Sequence, residues 1–114
     1  MENTTISMVE LQFKNFIEEI RPEDEEIRKQ VDLGYSWDGQ IAILFEIRPA
    51  RGNSGKVLQL PFAKLQYVKT KMAWKLYWMR ASGDWEAYKP HHTDADLEAL
   101  LKVIGLDELN CFFG

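Results

Sequence analysis

Apolar residues near the start of the chain recur at steps of three and four: Val9, Phe13, Phe16, Ile17 and Ile20 fall on one face of a helix. Ser7-Met8-Val9-Glu10 has the S-x-x-E spacing of a capping box, in which the two side chains satisfy free amides at a helix start. Pro22 lacks an N–H and biases Arg21 away from helical backbone, so the helix is expected to end near Ile20. The acids Glu23, Asp24, Glu25 and Glu26 then predict a solvated turn or a short helix.

From Ile27 onward the period changes. YSWDGQIAILFEI reads as two β-rich runs joined at Asp38-Gly39, a pair suited to a type I′ hairpin because both residues tolerate positive φ. PARGNSGK (49–56) is a loop by composition. Val57–Leu60 follows, interrupted at Pro61, which predicts an edge or a bulge. Ala63–Lys69 and Trp74–Arg80 read as strands, and the connection between them carries neither Gly nor Pro. Thr93 is read as the start of a second helix, with Asp96 at N3, an apolar stripe of Leu97, Leu100, Leu101 and Ile104, and Gly105 just past its end. The apolar Cys111-Phe112-Phe113 near the C-terminus is expected to dock, since burying two phenylalanines is worth roughly 3–6 kcal/mol. This order predicts an α+β fold: an N-terminal helix, an antiparallel meander of about five strands, and a C-terminal helix packed on the sheet with a docked tail. Residues 1–114 are read as a single domain, at a length that buries roughly two-thirds of the unfolded surface.

Three of the four tryptophans, Trp74, Trp78 and Trp85, crowd into WKLYWMRASGDWEAY (74–88). A hairpin turning at Ser82-Gly83 would set Arg80 opposite Trp85, Trp78 opposite Ala87 and Tyr77 opposite Tyr88. Alternation then places Trp74, Leu76, Trp78, Arg80, Trp85 and Ala87 on one face, expected under a helix. Lys75, Tyr77, Met79, Glu86 and Tyr88 form the other, expected to be exposed.

Charge adds a second pattern. The formal net charge is −4, yet residues 64–80 carry Lys64, Lys69, Lys71, Lys75 and Arg80 and no acid. Residues 1–30 hold eight acids against four bases, and residues 84–114 hold seven against two. This balance argues against bulk nonspecific nucleic-acid binding and leaves room for a local anion site; the simpler expectation is that the basic strands face the acidic helices of the same fold. No apolar run approaches the ~18 residues of a membrane span, and the N-terminus lacks the layout of a secretory signal. With one cysteine, Cys111, no intramolecular disulfide forms; the expected setting is cytoplasmic, with no membrane partner.

W-K-L-Y-W-M-R (74–80), W-x-x-Y-x-P (85–90) and D-x-x-x-C-F-F-G (107–114), with I-R-P (47–49) and A-K-L-Q-Y-V-K (63–69), are motifs met together elsewhere. In them the chain resembles a family of small bacterial proteins known only as a domain of unknown function, numbered 3024. The resemblance implies a bacterial cytoplasmic protein and brings no activity, cofactor or catalytic residue. It singles out Trp74, Trp78, Arg80, Trp85, Tyr88, Asp107 and Phe113.

The remaining chemistry is sparse. Adjacent His91 and His92 point apart on extended chain, and with Asp94 and Asp96 they fall short of a ligand set, so no metal or cofactor is expected. Arg80, Asp84, Glu86 and His92 could meet near the 81–84 turn as an acid–base site, but no G-x-S-x-G, P-loop, H-E-x-x-H or G-x-G-x-x-G accompanies them. Cys111 reads as a small buried hydrophobe. Asp107, between a helix end and an apolar tail, is expected to anchor the tail through backbone amides or a cation such as Arg80.

These residues point to a small noncatalytic domain that binds another macromolecule, such as a protein partner, or a second copy of itself through an aromatic-rich antiparallel sheet. The alternative is local single-stranded nucleic-acid or anion binding through the basic 64–80 strands. An enzyme near Arg80, Asp84 and His92 is a further alternative. The surface residues expected to bind are Lys64, Lys75, Tyr77, Arg80 and Tyr88; Trp74, Trp78, Trp85, Asp107 and Phe113 are the structural signature.

Overall fold

The computed structural model describes residues 7–50 and 55–113. Residues 51–54, half of the loop read at 49–56, lie outside the described residues, as does Gly114.

Helix α1 (Met8–Ile20) starts where Ser7 Oγ accepts the Glu10 amide at 3.0 Å. It ends at Arg21, whose extended backbone (φ −63°, ψ 149°) is the conformation proline demands of its predecessor. The buried stripe is Phe13, Phe16 and Ile17. The acidic stretch makes the single-turn helix α2 (Glu25–Arg28), capped by Asp24.

Among the described residues six strands form an open antiparallel sheet: β1 (Asp32–Trp37), β2 (Ile41–Pro49), β3 (Val57–Val68), β4 (Ala73–Met79), β5 (Trp85–Ala87) and β6 (Thr93–Asp94). The order is β1-β2-β3-β4-β5, with β6 also paired to β4. At the β1–β2 turn the expected type I′ pair is shifted: Gly39 and Gln40 span the turn, and of the two only Gly39 has positive φ (99°). Asp38 contributes its carboxylate instead, accepting the Gln40 and Ile41 amides at 2.8 and 2.7 Å. Those amides hold the carboxyl below its ordinary pKa.

The two strand segments read on either side of Pro61 are one strand with a bulge. Leu44 pairs with Ala63 and Phe45 with Pro61, so Phe62 is the extra residue. Lys56 accepts the Ala50 amide at 2.9 Å, so its backbone points at β2. By alternation Val57, Gln59 and Pro61 point the other way, where no described strand lies beside them. The N–H that Pro61 lacks is therefore not missed in the β2–β3 ladder. Between β3 and β4 the chain reverses through a 3-10 turn (Lys69–Lys71) and Met72 in the left-handed region (φ 48°), without Gly or Pro.

Helix α3 (Leu97–Leu106) begins later than expected. Thr93 and Asp94 form β6 beside Lys75 and Trp74, and Asp96 is the cap, accepting the Glu98 amide at 3.1 Å. Gly105 lies inside the helix, and the left-handed position after it belongs to Asp107 (φ 45°). The reason is the tail: Asp107 Oδ1 accepts the Phe112 amide at 3.0 Å and Oδ2 the Phe113 amide at 2.8 Å.

Helices α1 and α3 and the tail cover one face of the sheet. Phe13 meets Tyr35, Trp37 and Trp74 at centroid distances of 6.3, 5.5 and 6.0 Å. Leu44, Leu65, Leu76, Leu100 and Ile104 are fully buried between the layers. Phe112 packs on Tyr88 (5.0 Å) and Phe113, still 41% exposed, on Phe62 (5.1 Å).

Candidate functional site

The face turned away from the helices is the candidate site, and the β4–β5 turn decides its composition. Three residues, Ala81-Ser82-Gly83, make that turn: Gly83 N–H donates to Arg80 O and Arg80 N–H to Asp84 O, both at 2.9 Å, with Gly83 at φ 94°. Tyr77 therefore pairs with Ala87, Trp78 with Glu86 and Met79 with Trp85. The expected two-residue turn gave a register one residue different, and such a slip turns every β5 side chain over. Trp85 consequently leaves the tryptophan face and joins Tyr77 and Met79. Tyr88 moves the opposite way: expected at the surface, it is only 3% exposed and belongs to the core, where burial pushes its phenol pKa up. Trp74 (5% exposed) and Trp78 stay on the helix side.

On the open face the pairing aligns Ile43, Lys64, Tyr77 and Ala87 in one row and Ile41, Gln66, Lys75 and Thr93 in the next. The Lys64 ammonium lies 4.7 Å from the Tyr77 ring centroid and 5.8 Å from that of Trp85, a double cation–π arrangement. His92 meets Tyr77 edge-on at 5.3 Å, and its Nδ1 is 3.0 Å from the Leu76 carbonyl. At the β1 side Phe45 lies across Gly34, so closely that a Cβ there would stand 2.8 Å from its ring. Most side chains of this face are half-buried, and no described element forms a second layer over them.

The charge of the face is one-sided. Its strand positions carry Lys64 and Lys75, and the single carboxylate that alternation assigns to it is Asp32, at the first position of the edge strand. Arg21 holds that carboxylate through both oxygens, at 2.8 and 2.9 Å. Burial raises the Asp32 carboxyl, but the Arg21 and Leu33 hydrogen bonds outweigh it and leave the pKa below its ordinary value.

The other sequence-derived candidates scatter. Arg80 sits at the end of β4 on the helix side, 3.3 Å from Glu86. Asp84 accepts the Ser82 hydroxyl at 3.2 Å. His92 stands beside Leu76, four residues along β4 from Arg80 and so roughly 13 Å away by strand rise; the three do not converge. His91 Nε2 bonds Asp94 Oδ2 at 2.8 Å, separately from His92. Among the described residues no three His, Cys, Asp or Glu side chains gather as a metal site would require. Cys111 is half-buried, its thiol 3.9 Å from the Leu109 carbonyl and its pKa raised by burial and by the charges of Asp107 and Glu86. Lys69 and Lys71 are exposed on the 3-10 turn beyond the second row. A concavity of about 190 Å³ near Trp78, Glu86, Tyr88 and Cys111 contains none of Arg80, Asp84 and His92. A groove of about 510 Å³ between α1 and α3, floored by Phe16, Ile20 and Leu101, also excludes them.

Ile43 and Phe45 are not among the sequence-derived candidates, and Trp85 is expected from the sequence on the opposite face. A signal for the first two was present: I-A-I-L-F-E-I (41–47) is apolar on both alternations, which an ordinary solvated outer face would not require.

Over residues 1–114 the chain matches the model of a family described as a domain of unknown function, DUF3024. It belongs to that family. No curated protein and no solved structure matches it. The WKLYWMR signature of this DUF3024 chain thus divides by alternation, Trp74 and Trp78 serving the core and Lys75 and Tyr77 the open face. No described helix is long and apolar enough to cross a membrane.

Proposed function

We propose that this DUF3024 protein is a noncatalytic binding domain of the bacterial cytoplasm whose helix-free sheet face holds a macromolecular partner. The observation that carries this reading is the cluster of Lys64, Tyr77 and Trp85 on a face flanked by Ile43 and Phe45 that no described element covers. Aromatic residues concentrated on a flat surface are what recognition surfaces use, because they bury large area at little cost in side-chain freedom. The test is crosslinking in cells from a photoreactive residue at Ile43, compared with one at Lys14 on the exposed side of α1. Macromolecular adducts from position 43 well above those from position 14 support the reading. Equal or absent adducts overturn it.

A second reading, self-association, is favoured by a different observation. Val57, Leu58 and Leu60 are 63%, 47% and 43% exposed, beside the outward backbone groups of Val57 and Gln59. An apolar strand edge of this kind accepts another strand, and two copies could pair antiparallel about a twofold axis. Gln59→Pro removes an outward N–H while sparing the β2–β3 ladder. A dimer seen by light scattering and lost in that variant would support self-association; a monomeric wild type removes it.

A further inference from the structure

Resting on the proposal that the open face binds a macromolecule, we infer that its ligand is a single-stranded nucleic acid, with bases stacked on Tyr77 and Trp85 and phosphates drawn to Lys64 and Lys75. Tyr77 pairs with Ala87, so Trp85 is its diagonal neighbour on the next strand, at a Cα spacing of roughly 7–8 Å. That makes two adjacent stacking stations with the Lys64 ammonium over both rings. Aromatic faces accept any base, and interleaved cations follow the backbone, which is how single strands are held without sequence readout.

Charge decides among occupants. The chain is net −4, yet among the described residues the strand positions of this face leave only positive charges unpaired, because Arg21 occupies Asp32. A second copy laid face to face would bring Lys64 and Lys75 against the same two lysines, with like charges desolvated together. A protein partner would more often meet a surface poor in lysine at its centre, whereas here Lys64 is central. A duplex offers its base faces to nothing outside its own stack, and a broad sheet face does not enter a groove as a helix or two-stranded ribbon does. A polyanion with accessible π faces answers both features. Lys69 and Lys71 extend the basic track past Lys75 at the end of the same strands.

The experiment is fluorescence anisotropy of the full chain with labelled fifteen-nucleotide single strands, thymidine and adenosine oligomers as DNA and uridine and adenosine oligomers as RNA, and a duplex of the same length. Two phosphate contacts predict a slope near −1.4, a loss of roughly sevenfold in affinity between about 50 and 200 mM salt. Tyr77→Ala and Trp85→Ala should each weaken binding roughly 5- to 150-fold, the range for one lost base stack. Tyr77→Phe retains the ring and should restore most of it. Lys64→Gln should weaken binding and flatten the salt slope by about 0.7, and Lys14→Gln, a control on α1, should do neither. Variants are compared only where each is fully folded under the binding conditions; Tyr77→Phe and Lys64→Gln keep the test decisive if an alanine variant unfolds. Absence of single-strand binding at about 50 mM salt, binding indifferent to these substitutions, or preference for the duplex overturns the inference. Crosslinks from position 43 that resist nuclease and prove to be protein would also overturn it while leaving the broader binding proposal standing. Absence of crosslinks from position 43 would remove that proposal itself.

Discussion

Asp107 Oδ1 accepts the Phe112 amide hydrogen at 3.0 Å, tying the residue that ends α3 to the aromatic ring that closes the core. The same carboxylate holds the Phe113 amide through its other oxygen, so one side chain stops the helix and anchors the tail. Asp107→Asn preserves tolerance of the left-handed backbone but replaces one acceptor with a donor, facing a buried N–H with the wrong partner. A loss of about 1–3 kcal/mol is expected in urea denaturation. Asp107→Ala should cost more, because the strained backbone then loses both acceptors. An Asn variant as stable as the parent would show that the tail docks through Phe112 packing alone.

Trp85 and Tyr88 exchange the roles that a two-residue turn would assign them, and their stability costs should exchange with them. Tyr88 is buried on Phe112, so Tyr88→Ala should cost about 3–5 kcal/mol, the range for large aromatic truncations in a core. Trp85→Ala loses cross-strand contacts and a partly solvated cation–π contact, about 1–2 kcal/mol together. Denaturant midpoints giving the reverse order would mean that the hairpin follows the other register.

What was legible along the chain was local. The α1 boundaries follow from Ser7 and Pro22, and its buried stripe from spacing alone, because a helix writes its caps and faces within a few residues; Glu10, expected as the second half of a capping box, accepts the Tyr35 hydroxyl instead. Register was not legible in the same way. Ala81-Ser82-Gly83 suits either a two-residue turn at Ser82-Gly83 or a three-residue turn with Gly83 in the left-handed position, and the choice turns over all of β5. The end of α3 shows the same limit: Gly105 and Asp107 both tolerate the terminating conformation, and amides five and six residues further on decide between them. Of the candidate site, Lys64, Lys75 and Tyr77 could be read from alternation within their own strands. Trp85 could not, because its side depends on the turn, nor could Phe45, whose place depends on the open space over Gly34.

Gly83 carries the register and should show it. Its φ of 94° lies where L side chains are strained, and a Cβ there would meet nothing within 4 Å, so Gly83→Ala isolates the backbone cost. A loss of about 1–3 kcal/mol is expected. Ser82→Ala, at the exposed neighbouring position, should stay within about 0.5 kcal/mol. Equal, small effects from both would indicate a turn that does not require glycine.

Tyr35 supplies a pH dependence whose sign can be worked out. Its hydroxyl donates to Glu10 Oε2 at 2.9 Å, joining the edge strand to the first turn of α1. Burial, reinforced by that hydrogen bond and the charge of Glu10, pushes the phenol up from 10.0 to about 12. The folded state thus holds this proton more tightly than the unfolded chain does. The resulting stability is fully present below pH 10 and is lost as pH rises through about 12. Tyr35→Phe removes the titrating group, so its stability should fall less steeply than the parent's across that window; Tyr88, also raised by burial, remains in both proteins and cancels in the comparison. Urea midpoints at steps of pH, with phenolate absorbance followed in parallel, measure both quantities. Parallel stability profiles for the two proteins would mean that Tyr35 ionises as readily in the fold as in the unfolded chain.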